Sequence, residues 1–365
     1  MTKVGHLYVA ISDHGLGHVT RTLAIVAEVR QRRPELRITL ATASSPTDLE
    51  AYLSPPFTHR SVSLDVGVVQ KDSLTQDLAA TRQALEMLLD QADASITQEV
   101  DYIRSTGVDL IFADIPSLAG LIAERAGIPC VMSGNFGWDF IYRQWGGAFV
   151  ALADHYAQGY RYCHHLFRVP FCETMSSFPR VTDVGLTGQW PRFAPDTIRE
   201  KLEIAAPPER TVLLAFGGFG LQKIPYDAIS QFSDWCFLVF DPSAPPLPNV
   251  RRCHTLPYRP VDLMPLCGKV VTKPGYSTYS EAYRLGLPIY SLERRGFAEA
   301  DLLLQGLQRY CHHRIITSVE FHAHPWEFLT LDPYPPQTND RLATDGNQTI
   351  AEALLDYLGS GGNCR

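Results

Sequence analysis

Short apolar runs alternate with longer stretches in which apolar residues recur every three or four positions, and the alternation occurs twice along the chain. In the first half, residues 6–12 (HLYVAIS), 37–42 (RITLAT), 109–113 (DLIFA) and 129–133 (PCVMS) are short and almost continuously apolar. They read as strands buried on both faces. Helical spacing fills the intervals at 20–32, 75–104 and 117–126. Residues 136–168 break the rhythm, with Phe136, Trp138, Phe140, Tyr142, Trp145, Tyr156, Tyr160 and Tyr162 crowding a helical region. A stretch rich in Pro, Arg and Thr follows at 176–210 and ends on Pro207-Pro208, the signature of a connection. The grammar then restarts with strands at 211–216 (TVLLAF), 235–240 (WCFLVF) and 269–272 (KVVT), and closes with a helix at 346–358 before a glycine-rich tail.

Strands alternating with helices predict right-handed βαβ units on parallel sheets. The expected fold class is therefore α/β, with two doubly wound Rossmann-like domains. The expected division is an N-terminal domain at 1–190, a linker at 191–210, a second domain at 211–345, and a C-terminal helix and tail at 346–365. Two such domains predict a cleft where the carboxyl ends of their strands face each other.

A length of 365 residues fits two domains, and 45% hydrophobic with 19% charged residues excludes long disorder. The net charge of −7 argues against non-specific binding to nucleic acid, while peripheral contact with a membrane stays open. No apolar run approaches the roughly 20 residues that span a bilayer, and the N-terminus lacks the features of a signal peptide. A cytoplasmic protein is expected. Eight cysteines form no C-x-x-C pair, and the histidine pairs 164–165 and 312–313 are adjacent residues that rarely converge on one ion. No metal site is expected.

Three loops carry candidate chemistry. Asp13-His14-Gly15-Leu16-Gly17-His18 joins the first strand to a helix, where a glycine turn and unpaired helix amides suit an anion. Its spacing is not that of a dinucleotide site, and a plain turn explains it equally well. Phe216-Gly217-Gly218-Phe219-Gly220 follows the first strand of the second domain and opens backbone amides to a ligand or merely turns the chain. Lys273-Pro274-Gly275-Tyr276-Ser277-Thr278-Tyr279-Ser280-Glu281-Ala282 is the most informative. A strand feeds a glycine turn, two hydroxyls stand at a helix start for a diphosphate, and a carboxylate one turn on suits a ribose diol. A helix cap is the competing reading.

Gly275…Thr278…Glu281-Ala282…Gly286-Leu287-Pro288 resembles the donor motif of inverting GT-B glycosyltransferases, and more distantly the family that completes lipid II with N-acetylglucosamine. A fuller likeness runs through residues 15–21 (GLGHVTR), 64–70 (LDVGVVQ), 138–142 (WDFIY) and 275–278 (GYST). These resemble the glycosyltransferase-like N-terminal region of plant L-arabinokinases. The kinase region of that family has no counterpart here, so kinase activity is not expected.

The resemblance implies a GT-B fold and transfer of a sugar from a nucleoside-diphosphate donor, UDP-sugars favoured, to an unidentified hydroxyl acceptor, with inversion and without a metal or other cofactor. A nucleotide-sugar binding protein without catalysis, or an epimerase or hydrolase on the same fold, are the alternatives. By motif position, the backbone around Leu256 to Tyr258 and the side chains of Leu263 and Met264 meet the nucleobase, and Gly217, Gly218, Gly275, Ser277 and Thr278 the diphosphate. Glu281 meets the ribose, and Phe297 and Glu299 the transferred sugar. His18 is the candidate base, with Asp13, Asp139 and Asp114 as rivals. Gly17, Asp114, Trp138 and Tyr142 form the expected acceptor side, with the aromatic rings stacking on a sugar or lying in the core. The segment Arg294-Arg295-Gly296-Phe297-Ala298-Glu299 departs from the family's Asp-Gln pair, and its two arginines suit an acidic sugar or an extra phosphate.

Overall fold

The computed structural model describes residues 4–71, 74–217, 221 and 224–359. They fall into two compact units. Unit 1 holds the chain up to Gln70, then 76–188 and the C-terminal segment from Ala343; unit 2 holds 71–75 and 189–342.

The sheet of unit 1 is built from β1 (His6–Ile11), β2 (Arg37–Ala41), β3 (Thr58–Arg60), β4 (Leu110–Asp114), β5 (Cys130–Gly134), β6 (His165–Arg168) and β7 (Val181–Asp183). Its order is β3-β2-β1-β4-β5-β6-β7 and every pairing is parallel. All six residues of β1 are buried, as a central strand covered on both faces requires. The helices are α1 (Leu16–Arg32), α2 (Pro46–Glu50), α3 (Leu78–Thr106), α4 (Leu118–Ala126), α5 (Trp138–Trp145) and α6 (Phe149–Tyr160). The long α3 starts at Asp77, whose side chain accepts from the Ala80 N–H, and stops at Gly107 in the left-handed region.

In unit 2, β8 (Thr211–Ala215), β9 (Cys236–Val239), β10 (Val250–Arg252), β11 (Lys269–Thr272), β12 (Ile289–Leu292) and β13 (His313–Ile316) form a parallel sheet of order β10-β9-β8-β11-β12-β13. Its helices are α7 (Pro195–Lys201), α8 (Asp227–Ser230), α9 (Pro260–Leu263), α10 (Tyr276–Arg284), α11 (Ala298–Tyr310) and α12 (Ser318–His322).

Two boundaries differ from the sequence reading. The expected linker contains α7, whose Ile198 is fully buried and which packs against α9 of unit 2. The last helix, α13 (Gly346–Gly359), does not stand apart: it returns to unit 1, burying Ile350, Ala351 and Leu354 and packing on α1. Asn347 fastens it by accepting from the Gly188 N–H (3.1 Å) and donating to the Gly188 carbonyl (2.8 Å). Burying Ile350 and Leu354 is worth about 1.5–3 kcal/mol each.

Both sheets run outward in opposite directions from their first strand, so each has a switch point: β1/β4 in unit 1 and β8/β11 in unit 2. Loops leaving neighbouring strands diverge there and leave a crevice at the carboxyl ends. The first and third candidate loops, and the Gly217 turn, all lie at these two points.

Candidate active site

At the unit 1 switch point, α1 delivers His18 and Arg21, and β4 ends on Asp114. His18 Nδ1 lies 3.0 Å from Asp114 Oδ1. The same carboxylate takes Arg21 Nε at 2.7 Å and NH2 at 2.5 Å, and the Thr22 hydroxyl at 2.8 Å. Asp114 is fully buried; burial opposes its charge, but Arg21 and His18 outweigh burial and hold the carboxyl well below its ordinary range. An ionised carboxylate cannot donate, so the His18–Asp114 contact is a hydrogen bond only when Nδ1 carries the proton. In that tautomer Nε2 is the basic nitrogen of His18; Arg21 Nη2, which can only donate, also lies 3.1 Å from Nδ1 and competes for it. Asn135 accepts from Arg21 NH1 at 2.7 Å and extends the network.

His14 takes the opposite tautomer. The Val68 N–H donates to its Nδ1 at 3.1 Å, so Nε2 carries the proton. This fit depends on Gly67, which sits at φ +60°, where a Cβ would come within 2.5 Å of His14 Cβ. Only glycine allows the 64–70 segment to close on His14. The rings of His14 and His18 flank Trp138 at centroid distances of 5.1 and 5.9 Å.

The rival bases serve other ends. Asp13 accepts from the Thr42 hydroxyl, the Ala43 N–H and the Ser63 hydroxyl at 2.7–2.8 Å, tying three loops together. Asp139 accepts from Ser177, and burial raises its carboxyl above the ordinary value despite that bond. Asp114 is saturated by its four donors and acts on His18. Trp138 and Tyr142 are wholly buried, so the stacking role on a sugar is corrected to a structural one. Trp138 Nε1 donates to Asp65 (2.9 Å) and the Tyr142 hydroxyl to the Gly67 carbonyl (2.8 Å). Asp65, given no role in the sequence reading, is pushed up to about 6 by burial and by the charge of Asp13. Gly17 is exposed in the first turn of α1.

At the unit 2 switch point, the ends of β8 and β11 are clamped by the Thr272 hydroxyl, which donates to the Ala215 carbonyl at 2.6 Å. Gly217 follows at φ +76°, and a Cβ there would stand 3.5 Å from Lys273 Cε and 3.8 Å from Nζ. A lysine ammonium therefore lies beside the glycine turn. Gly275 caps α10, in whose first turn Ser277 is buried and Thr278 half-buried. Gly218 lies outside the described residues.

One turn further, Glu281 is buried with Oε1 accepting from the Gln189 N–H at 3.0 Å; burial pushes its carboxyl up to about 7, with the Gln189 bond pulling the other way. The residues 189–192 are held down firmly. Arg259 donates to Gln189 Oε1 and to the Trp190 carbonyl, both at 2.7 Å, and pairs with the fully buried Asp262. Asp262 also receives the Arg192 N–H and guanidinium.

Several expected donor contacts are closed in the structure. Leu263 and Met264 are fully buried, Tyr258 packs edge-on against Phe193 at 5.2 Å, and the Pro257 carbonyl accepts from Arg192. Leu256 is half-buried. Phe297 is buried beneath the Arg294 guanidinium, which lies 4.0 Å from its ring centre. Arg295 is exposed and approaches Glu293, so the two arginines diverge and do not form one anion clamp. Glu299 sits half-buried in the first turn of α11.

The sequence reading gave no role to Arg21, Asp65, Gln189, Trp190, Arg259 or Lys273. For Arg21 a signal was present, since three residues separate it from His18 on one helix face. The others depend on contacts across the fold.

The fold of this chain is GT-B, two doubly wound parallel α/β units. It superposes on CalG4, the calicheamicin glycosyltransferase, with a TM-score of 0.62 at 17% identity over 98% of this chain and 99% of that one. UGT2 of Phytolacca americana, solved with UDP-2fluoro-glucose and pterostilbene, gives 0.60 at 12% identity over 99% and 95%. In sequence the chain is similar to L-arabinokinase of Arabidopsis thaliana, 29% identical over 313 residues. That match covers 82% of this chain, and the chain spans about three-tenths (29%) of the relative's length. No protein-family model matches the chain. Among the described residues, no helix is long and apolar enough to cross a membrane.

Proposed function

We propose that the chain transfers a sugar from a nucleoside-diphosphate donor, UDP-sugars favoured, to a hydroxyl acceptor, with inversion at the anomeric carbon and without a metal. The observation that carries this reading is the buried His18–Asp114 pair, which presents Nε2 of the imidazole as a base when Nδ1 donates to the carboxylate. A UDP-sugar analogue bound to a protein of the same fold supports the choice of donor.

In this reading unit 1 carries the acceptor half of the chemistry and unit 2 the donor half. His18 Nε2 takes the proton of the acceptor hydroxyl as its oxygen bonds to the anomeric carbon, and Asp114 stabilises the resulting imidazolium. The bond from that carbon to the diphosphate oxygen breaks with its electron pair. Lys273, the amides at the start of α10 and the hydroxyls of Ser277 and Thr278 meet the charge on the departing diphosphate. The second oxygen of Glu281 receives the ribose hydroxyls, and Glu299 is the acidic group for the transferred sugar.

Thermal shift against a panel of nucleoside diphosphates and their sugars tests the donor half. Stabilisation by one nucleotide family, absent in Glu281→Ala, is the expected result. A flat response across the panel would remove the reading.

A further inference from the structure

Trp190 follows Gln189, the partner of Glu281, and keeps its ring open. It is 46% exposed, yet Gln189 before it, Arg192 beyond it and its own carbonyl are held by hydrogen bonds. The preceding Gln189 donates its N–H to Glu281, the Trp190 carbonyl accepts from Arg259, and Arg192 two residues on is locked to Asp262. One face of the indole is covered by Arg284, whose guanidinium carbon lies 3.8 Å from the ring centroid. Glu281 and Arg284 stand three residues apart on one face of α10, so the indole lies one helical turn along from the carboxylate.

An exposed tryptophan on a mobile segment costs little and means little. This one is held flat by a cation beneath it and by hydrogen bonds on either side, so its ordering entropy is already spent before any ligand arrives. Meanwhile the side chains of Tyr258, Leu263 and Met264 are buried and offer no open face to a base. The geometry points to Trp190 as the stacking platform for the nucleobase of the donor, on the face opposite Arg284. This inference rests on the donor reading, because it is the ribose at Glu281 that brings a base within reach of the indole. Every base has a π-face, so the platform contributes affinity without selecting purine or pyrimidine.

The test titrates UDP and inorganic pyrophosphate by calorimetry into wild type, Trp190→Ala and Trp190→Phe. Base stacking predicts a loss of roughly ten- to hundred-fold in UDP affinity for Trp190→Ala, an intermediate loss for Trp190→Phe, and unchanged pyrophosphate binding. Equal UDP affinity in wild type and Trp190→Ala would overturn the inference and leave the donor reading standing. A matching loss for pyrophosphate would also overturn it, because the substitution would then act on the diphosphate site. If wild type binds neither UDP nor any other nucleoside diphosphate, the donor reading falls and this inference with it.

Discussion

Glu281 makes a sharp prediction about stability and pH. Its ordinary value is 4.5 and burial brings it to about 7 in the folded protein. A difference of 2.5 units, at 1.36 kcal/mol each, is about 3 kcal/mol. The native state binds the proton more tightly than the unfolded state, so this contribution lowers stability as pH rises. The loss starts near pH 4.5, accumulates up to about pH 7 and is constant above. Glu281→Gln has no proton to lose and leaves an amide oxygen for the Gln189 N–H. Denaturant unfolding of wild type and variant at pH 5 and pH 8, read on the transition that contains unit 2, isolates the effect. Other titrating groups act in both proteins and cancel in the double difference. The variant's stability relative to wild type should be about 2 kcal/mol or more higher at pH 8 than at pH 5, even as it loses donor binding. Equal differences at the two pH values would refute the buried, proton-binding carboxylate. A costly charge kept at a ligand site fits the usual opposition of stability and function.

Two further substitutions probe unit 1. Asp114→Ala leaves the Arg21 guanidinium buried without its carboxylate and should cost about 3–5 kcal/mol, seen as a lower melting temperature; an unchanged melt would contradict the network. Gly67→Ala places a Cβ against His14 in a backbone region that L-residues avoid. It should destabilise by more than about 1 kcal/mol and displace the His14 ring signals in NMR, and wild-type signals would show that the 64–70 segment does not seat His14.

The sheets were readable because parallel strands buried on both faces leave continuous apolar runs. β1, β4 and β11 fall within a residue of their expected limits. Strands at or near the sheet edges, such as β3, β7 and β10, are three residues long and partly exposed, and carry no such signal. The return of α13 to unit 1 rests on Asn347 meeting Gly188 across 159 positions, which local pattern cannot encode. In the candidate site, the place of His18 near the start of α1 was legible from the glycine turn after a strand. The pairing with Asp114 was not, because it joins residues 96 apart that only the β1/β4 neighbourhood brings together. For Trp138 and Tyr142 composition left stacking and core packing open, and contacts across unit 1 decide for the core, since their polar atoms find partners there.

The central claim is that His18 acts as base on the acceptor hydroxyl and that Glu281 holds the donor. It is tested most directly by measuring UDP release from a panel of UDP-sugars with a mixed set of hydroxyl acceptors, alongside calorimetric UDP binding, for wild type and His18→Ala. The account predicts unchanged UDP affinity and a fall in release of at least about a hundred-fold in the variant. Release that persists at the wild-type rate in His18→Ala would contradict it.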